Sequence, residues 1–165
     1  MAVDMGVATA RRIATELRPP LLDDLGLQAA FEQLLETMFR GGDTLGAVEL
    51  NGQDRLSQNQ AIGLYRIVQE AVSNVLHHAR ARHFLVRGDI IGGDCYRLTM
   101  TDDGVGLGEV APRKGALGLA GMRERAELMR GSIAIENGPN GGVIITIDVP
   151  LESRTKNNEH EHSAA

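Results

Sequence analysis

FLVRGDIIGGDCYRLTMTDDGVGLG, residues 84–108, reads as two β-strands joined by a tight turn. Runs 84–91 and 95–101 are rich in strand-forming residues, and Gly92-Gly93-Asp94 between them supplies turn chemistry, so the pair is expected as a hairpin. Alternation along the second run puts Leu98, Met100 and Asp102 on one side. That aims a carboxylate from a strand end toward an apolar layer, where it needs a hydrogen-bond donor. The exocyclic amine of adenine is such a donor, and apolar neighbours can sandwich the flat base. The plainer reading is that Asp102-Asp103-Gly104 is only a turn, since Asp and Gly are common there.

Upstream of this hairpin the pattern turns helical. MAVDMGVATARRIATEL has helical composition and is closed near Leu17 by Pro19-Pro20, because proline lacks a backbone donor and restricts the residue before it. Residues 21–42 form a second expected helix, with Leu27, Ala30, Phe31, Leu34, Leu35 and Met38 at helical spacing and Gly41-Gly42 as a stop. GAVEL, 46–50, is expected as a short strand. The longest helix is expected from an N-cap at Ser57 to Ala81, with Ala61, Leu64, Tyr65, Val68, Val72, Val75 and Ala79 as its core stripe. Downstream, a glycine-rich stretch, 103–121, opens into a helix starting near Leu119 and ended by Gly131, and SIAIEN with GVIITIDVP forms a last hairpin ending at Pro150. Helices segregated onto one face of a mainly antiparallel sheet make an α+β fold, a two-layer α/β sandwich.

Composition sets the outer bounds. With 165 residues and 42% hydrophobic content, one domain with a real core is expected, and because aromatic residues are only 3% that core must be aliphatic. A net charge of -5 argues against duplex DNA or an anionic membrane as main partner, yet local amides and a metal ion still permit bound phosphates. The single Cys95 excludes an internal disulfide and fits a reducing, cytoplasmic compartment. No apolar run reaches the length needed to span a bilayer. The tail ESRTKNNEHEHSAA, 152–165, has no apolar period and is expected to be disordered.

Glu70 and Asn74 stand four apart on the long expected helix, so they share a face, opposite the core stripe. A carboxylate and an amide oxygen are hard ligands that suit Mg²⁺ beside nucleotide phosphates; a solvated polar face is the alternative. Gly104, Gly106 and Gly108 leave the strand, and Gly115, Gly118 and Gly121 lead into the following helix. Glycine lets backbone approach a ligand closely, a helix N-terminus offers amides to phosphate, and Arg113 and Lys114 can close over such a group as part of a lid. A plain flexible connector is again the competing reading.

QEAVSNVLHHA (69–79) resembles the N box of sensor histidine kinases, TDDGVGLG (101–108) their first glycine box, and GALGLAGMRERAELMRGSI (115–133) their second, in that family's order. LRPPLLDDLGL (17–27) and LYRIVQEA (64–71) are similar to the nitrate-sensor and desaturase-sensor type. The resemblance covers roughly residues 11–151 and implies a Bergerat-type ATP site, of the group that includes gyrase, Hsp90 and MutL. It implies that Asn74 binds Mg²⁺ with Glu70 beside it, the two forming the catalytic pair. It implies that Asp102 reads the adenine amine, that Gly104 and Gly106 admit base and ribose, and that Gly118, Leu119, Gly121 and Met122 form the lid hinge. His77, His78, Leu107, Lys114 and Thr146 are implied as further residues around ATP. The implied chemistry is γ-phosphoryl transfer to a histidine nitrogen.

Three positions depart from the family pattern. His77 stands where Lys or Arg is usual, Ala116 where Gly is frequent, and Val143 where Thr usually follows Gly141-Gly142. The acceptor helix with its ELHD-like motif is absent from these residues. Residues 1–20 are expected to be the remnant of the second dimerisation helix, 21–151 the ATP-binding domain and 152–165 the tail. The implied partners are the phosphoacceptor and dimerisation domain and a response regulator with a helix-turn-helix output domain. Direct nucleic-acid or membrane contact by the fragment is not expected, and a homodimer would be weak or absent. Two other readings stay open: an ATPase or serine kinase of the same group, and a nucleotide-sensing or interaction module with a vestigial site.

Overall fold

The computed structural model describes residues 20–108 and 116–153. The expected helix within residues 1–17 and the tail from 154 onward lie outside them. The elements are α1 (Pro20–Asp24), α2 (Gly26–Phe39), β1 (Leu45–Leu50), α3 (Gln58–Asn74), β2 (His83–Ile91), β3 (Cys95–Asp102), α4 (Ala116–Leu128), β4 (Ser132–Asn137) and β5 (Val143–Pro150). The five strands form one sheet in the order β1-β2-β3-β5-β4, antiparallel except for the parallel β1–β2 pair. A parallel pair needs a crossover, and α3 is that crossover.

Alternation gives the sheet two unlike faces. Phe84, Val86, Tyr96, Leu98, Met100, Ile145, Ile147 and Val149 are buried on the inner face. The outer face is polar, with Arg97 donating two hydrogen bonds of 2.7 Å to Asp148 and Arg87 one of 2.7 Å to Glu49. The Arg97 guanidinium pulls the Asp148 carboxyl below its usual value. Such exposed pairs stabilise little, so the inner layer carries the fold. There α2 packs on β1, α3 lies between α2 and α4, and α4 packs on β4. This is the two-layer α+β arrangement read from the sequence.

The expected stripe of α2 is buried at Leu27, Ala30, Phe31, Leu34 and Leu35, with Phe39 added and Met38 packed against the core. Residues 21–42 are not one helix, however: the chain breaks at Leu25, and Gly26, where α2 begins, takes a φ of +85°, outside the right-handed helical region. Ser57 caps α3 as expected, and a full capping box forms, with the Ser57 hydroxyl accepting from Gln60 N and Gln60 Oε1 accepting from Ser57 N. Gln60 also donates to the Pro150 carbonyl at 2.7 Å, which ties the start of α3 to the end of β5. Ile67 and Ala71 join the buried face of α3, while Ala61 and Tyr65 sit at its margin.

The long helix ends earlier than its periodicity indicates. Regular α3 stops at Asn74, a π-helical turn follows over Val75–Ala79, and Arg80 turns the chain with a φ of +50°. The freed carbonyls are captured locally: Ala79 accepts from Val105 N at 2.8 Å, and Ala81 from the Thr44 hydroxyl at 2.8 Å. At the other end of the domain, α4 begins at Ala116, three residues before the expected start. Its C-terminal reversal falls on Arg130, φ +56°, and Gly131 serves another purpose: a Cβ there would collide with the Asp148 carbonyl.

Two substitutions test this packing. The Tyr96 side chain is 0% exposed and its hydroxyl has no hydrogen-bond partner among the described residues. An unsatisfied buried hydroxyl costs about 1 kcal/mol or more, so Tyr96→Phe should raise stability to urea by about that amount; a loss of stability would reveal a partner for the hydroxyl. Gly142 has a φ of +73°, and a Cβ there would run into the Asp102 carbonyl oxygen. Gly142→Ala should therefore lower unfolding free energy by at least about 2 kcal/mol, read from the same titration.

Candidate functional site

β3 is the middle strand of the sheet, and its last residue is Asp102. The side chain lies on the inner face, as the alternation with Leu98 and Met100 requires, and is half-buried. Burial raises the carboxyl above its usual value, against the opposing pull of hydrogen bonds from the Gly104 and Val143 amides. The Gly104 bond is 2.8 Å, to Oδ1. Asp103, one residue on, does the opposite work. Its carboxylate accepts from Arg82 N at 2.7 Å, His83 N at 2.8 Å and the His83 ring at 2.7 Å. The His83 backbone and side-chain bonds, with that of Arg82, hold it at about 2, so it is an ionised tie that starts β2. Asp102-Asp103 is thus more than a turn, one carboxylate being structural and its neighbour turned inward.

The glycine loop leaving Asp102 is pressed onto its surroundings. A Cβ at Gly104 would collide with the Ala79 carbonyl at the end of the π-helical turn, and Val105 N donates to that same oxygen. Gly106 has a φ of +82°, and Leu107 N donates to Asn137 Oδ1 at 2.8 Å. Glycine is therefore required here for close approach and for backbone conformation, which a plain connector would not need.

Glu70 and Asn74 on α3 are both half-buried, so they do not form a bare solvated face. Gly118, in the first turn of α4, sits directly against the Glu70 carboxylate, leaving no room for a Cβ. A carboxylate beside the N-terminal turn of a helix is electrostatically favoured. The first strand-end motif meets the end of α3 through Gly104 and Ala79, and the second glycine motif meets Glu70 through Gly118. Leu119 is packed against the core, Met122 is fully buried, and Gly121 lies under the Arg125 side chain.

His77 and His78 are exposed on the π-helical turn, their ring centroids 6.1 Å apart. His77 Nδ1 lies 2.7 Å from the Ser73 carbonyl and so donates to it, which leaves Nε2 open. Thr146 is not brought to this cluster. It pairs with Thr99 and Ala134 on the outer face, because strand alternation turns it away from its buried neighbours Ile145 and Ile147. Arg113 and Lys114 lie outside the described residues. An open groove of about 840 Å³ at the far end of α3, lined in part by Ser57, Gly63, Arg66, Arg125 and Met129, shares no residue with the cluster. Sequence reasoning missed Asn137, which stands in no motif, and the structural part played by Asp103, which the first glycine box contains but does not set apart from Asp102.

Residues 59–153 match the family described as histidine kinase-, DNA gyrase B-, and HSP90-like ATPase. An uncharacterized sensor-like histidine kinase of Chloroflexus aurantiacus is 36% identical over 153 residues, covering 87% of this chain and 25% of that protein. The signal transduction histidine-protein kinase/phosphatase DegS of Brevibacillus brevis is 31% identical over 150 residues, covering 90% of this chain and 39% of its own length. Among solved structures, the blue-light activated histidine kinase of Erythrobacter litoralis EL346 superposes with a TM-score of 0.64 at 25% identity, covering 76% of this chain and 42% of that one. The chain thus spans between a quarter and two fifths of the length of these two curated relatives. The match across residues 59–153, which runs from α3 to β5 and takes in the strand-end carboxylate with the glycines fitted beside it, places this chain in the family of histidine kinase-, DNA gyrase B- and HSP90-like ATPases.

Proposed function

We propose that this chain is the ATP-binding catalytic domain of a sensor histidine kinase, transferring the γ-phosphoryl of Mg-ATP to a histidine outside residues 1–165. The observation that carries the reading is the placement of Asp102: a desolvated carboxylate at a strand end, oriented by two backbone amides and turned toward the inner layer. An acceptor held this way suits a flat base with an exocyclic amine. Gly104 and Gly106, in the loop that leaves Asp102, admit base and ribose in this reading. Gly118, Leu119, Gly121 and Met122, at the start of α4, form the hinge of a lid in this reading.

The phosphate end falls to α3. Glu70 and Asn74 offer two hard oxygens from one helical face, a donor set that fits Mg²⁺ held in part by phosphates and water. Bound there, Mg²⁺ neutralises charge on the phosphate oxygens. His77, three residues past Asn74 and with Nε2 open, is offered to a phosphate in this reading. In the transfer, the acceptor nitrogen forms a bond to the γ-phosphorus, and the bond to the bridging oxygen breaks with its electron pair leaving on ADP. The protein's share is positioning, so the catalytic pair acts by holding the phosphates in line.

The further assignments belong to the same proposal. The phosphoacceptor and dimerisation domain supplies the histidine, and residues 1–20 are assigned to that domain. A response regulator with a helix-turn-helix output domain receives the phosphoryl group. No helix among the described residues is long and apolar enough to cross a membrane. In this reading the domain works on the cytoplasmic side, where its nucleotide substrate is found. By itself the fragment makes at most a weak homodimer.

Calorimetry with a non-hydrolysable ATP analogue and Mg²⁺ tests the central claim. Wild-type chain should bind and Asp102→Asn should lose at least about 100-fold, because a site built to pair a polar group rejects the mismatch strongly; absence of binding by the wild type would overturn the proposal. The same variant separates function from stability. The Asp102 carboxyl is raised above its ordinary value of 3.8, so its contribution to stability is full below that value and is lost as pH rises through the folded-state value. Asp102→Asn should therefore be more stable than wild type at pH 7 and lose that advantage at pH 4, as read by thermal unfolding of the unliganded protein.

Gly118→Ala tests the phosphate end. Alanine favours the helix by about 1 kcal/mol, and only the flexible tip of Glu70 has to move, so the melting temperature should hold or rise. The gain in analogue affinity on adding Mg²⁺ should shrink by roughly tenfold. An undiminished Mg²⁺ effect would remove Glu70 from the metal end.

A further inference from the structure

The loop that carries Gly104 and Gly106 away from Asp102 is pinned three times within four residues. Gly104 N donates to Asp102 Oδ1 at 2.8 Å. Val105 N donates to the Ala79 carbonyl at 2.8 Å, fixing the loop to the end of α3's π-helical turn. Leu107 N donates to Asn137 Oδ1 at 2.8 Å, fixing it to the end of β4. The first pin is internal to the Asp102 turn and the second is backbone on backbone. The third alone uses a side chain from a distant segment, 30 residues on in sequence.

Asn137 is placed to do this by the β4–β5 hairpin. It stands opposite Val143 in the register, the residue whose amide holds the Asp102 carboxylate. The turn between them closes through Gly138 N donating to the Gly142 carbonyl at 2.9 Å. One cross-strand pair therefore touches the loop on two sides, Val143 at Asp102 and Asn137 at Leu107. The fit at Gly106 is tight as well, since a Cβ there would lie 2.7 Å from Asn137 Oδ1.

We infer that Asn137 is a positioning residue for the base end of the nucleotide site, acting through the Gly106–Leu107 backbone. It touches no part of the nucleotide. By holding Leu107 N it keeps the glycine loop against β4, and so keeps the space beside Asp102 at the width of a flat ring. The inference rests on the nucleotide reading above. It concerns the base end, because Asn137 acts on the loop at Leu107, whereas Glu70 and Asn74 are carried by α3.

The experiment compares Asn137→Leu, which keeps the size and loses the acceptor, with Asn137→Asp, which keeps an oxygen for Leu107 N. Calorimetry measures the affinity of ADP and, separately, of magnesium tripolyphosphate, which has no base. One exposed hydrogen bond contributes a five- to tenfold effect, so Asn137→Leu should weaken ADP by about that factor. Tripolyphosphate should bind unchanged, and Asn137→Asp should restore ADP to near the wild-type value. Equal ADP affinity in wild type and Asn137→Leu overturns the inference, as does a parallel loss of both probes or failure of Asn137→Asp to rescue. The nucleotide reading fails separately, by absence of ADP binding to the wild type.

Discussion

Taking the Asp102 carboxylate out of water is the constraint to which the neighbouring backbone is fitted. Desolvation raises its pKa, and the amides of Gly104 and Val143 repay only part of that cost. Both amides reach the carboxylate beside a glycine: Gly104 lies against Ala79, and Gly142, just before Val143, lies against the carbonyl of Asp102 itself. The glycines of this domain are therefore concentrated where three segments converge on one strand end. A carboxylate kept this way is a cost to the fold and a ready acceptor for a ligand, which is the usual bargain at a functional site.

The rest of the domain supplies rigidity for that strand end. β3 is flanked on both sides, paired with β2 as far as Asp102 and with β5 as far as Thr101, so its end is held from two directions. Beneath it the helices close-pack on an aliphatic inner face, with Phe31 stacked near Tyr65 at 6.2 Å between ring centres and Phe39 edge-on to Phe84 at 5.9 Å. The Gln60 link from the start of α3 to Pro150 closes this layer at the end remote from the cluster. A rigid far end and a near end built of glycine loops is a division that suits a site whose ligand must enter and leave.

Much of this was legible in the residues. Period-two alternation found both hairpins and the inward turn of Asp102, and helical spacing found the buried stripes of α2 and α3. What escaped did so for physical reasons. The break at Leu25 depends on one positive φ at Gly26, which a periodic pattern of apolar residues does not register. The π-helical turn over Val75–Ala79 has the composition of an ordinary helix, and its end is set by contacts with Val105 and Thr44 that are far off in sequence. Thr146 was placed near the nucleotide by family analogy, whereas strand parity sends it to the outer face beside Thr99. Asn137 carries no motif, and only the register of β4 with β5 brings it to the glycine loop.

The parallel pairing of β1 with β2 settles where the ends of α3 and of the middle strand come to lie. Because α3 must return the chain to the start of β2, its last turn is delivered to that edge of the sheet; β2 then runs out and β3 runs back to the same edge, with Phe84 opposite Asp102. The two halves of the cluster are thus neighbours by an out-and-back path, and the length of that path cancels. Paired additions at the Gly92-Gly93-Asp94 tip would lengthen both strands alike and leave the cluster's geometry untouched. A probe or a second protein grafted at that tip would stand about 27 Å from Asp102, at the 3.4 Å rise of an antiparallel strand, which makes the hairpin a built-in handle on an otherwise tightly fitted domain.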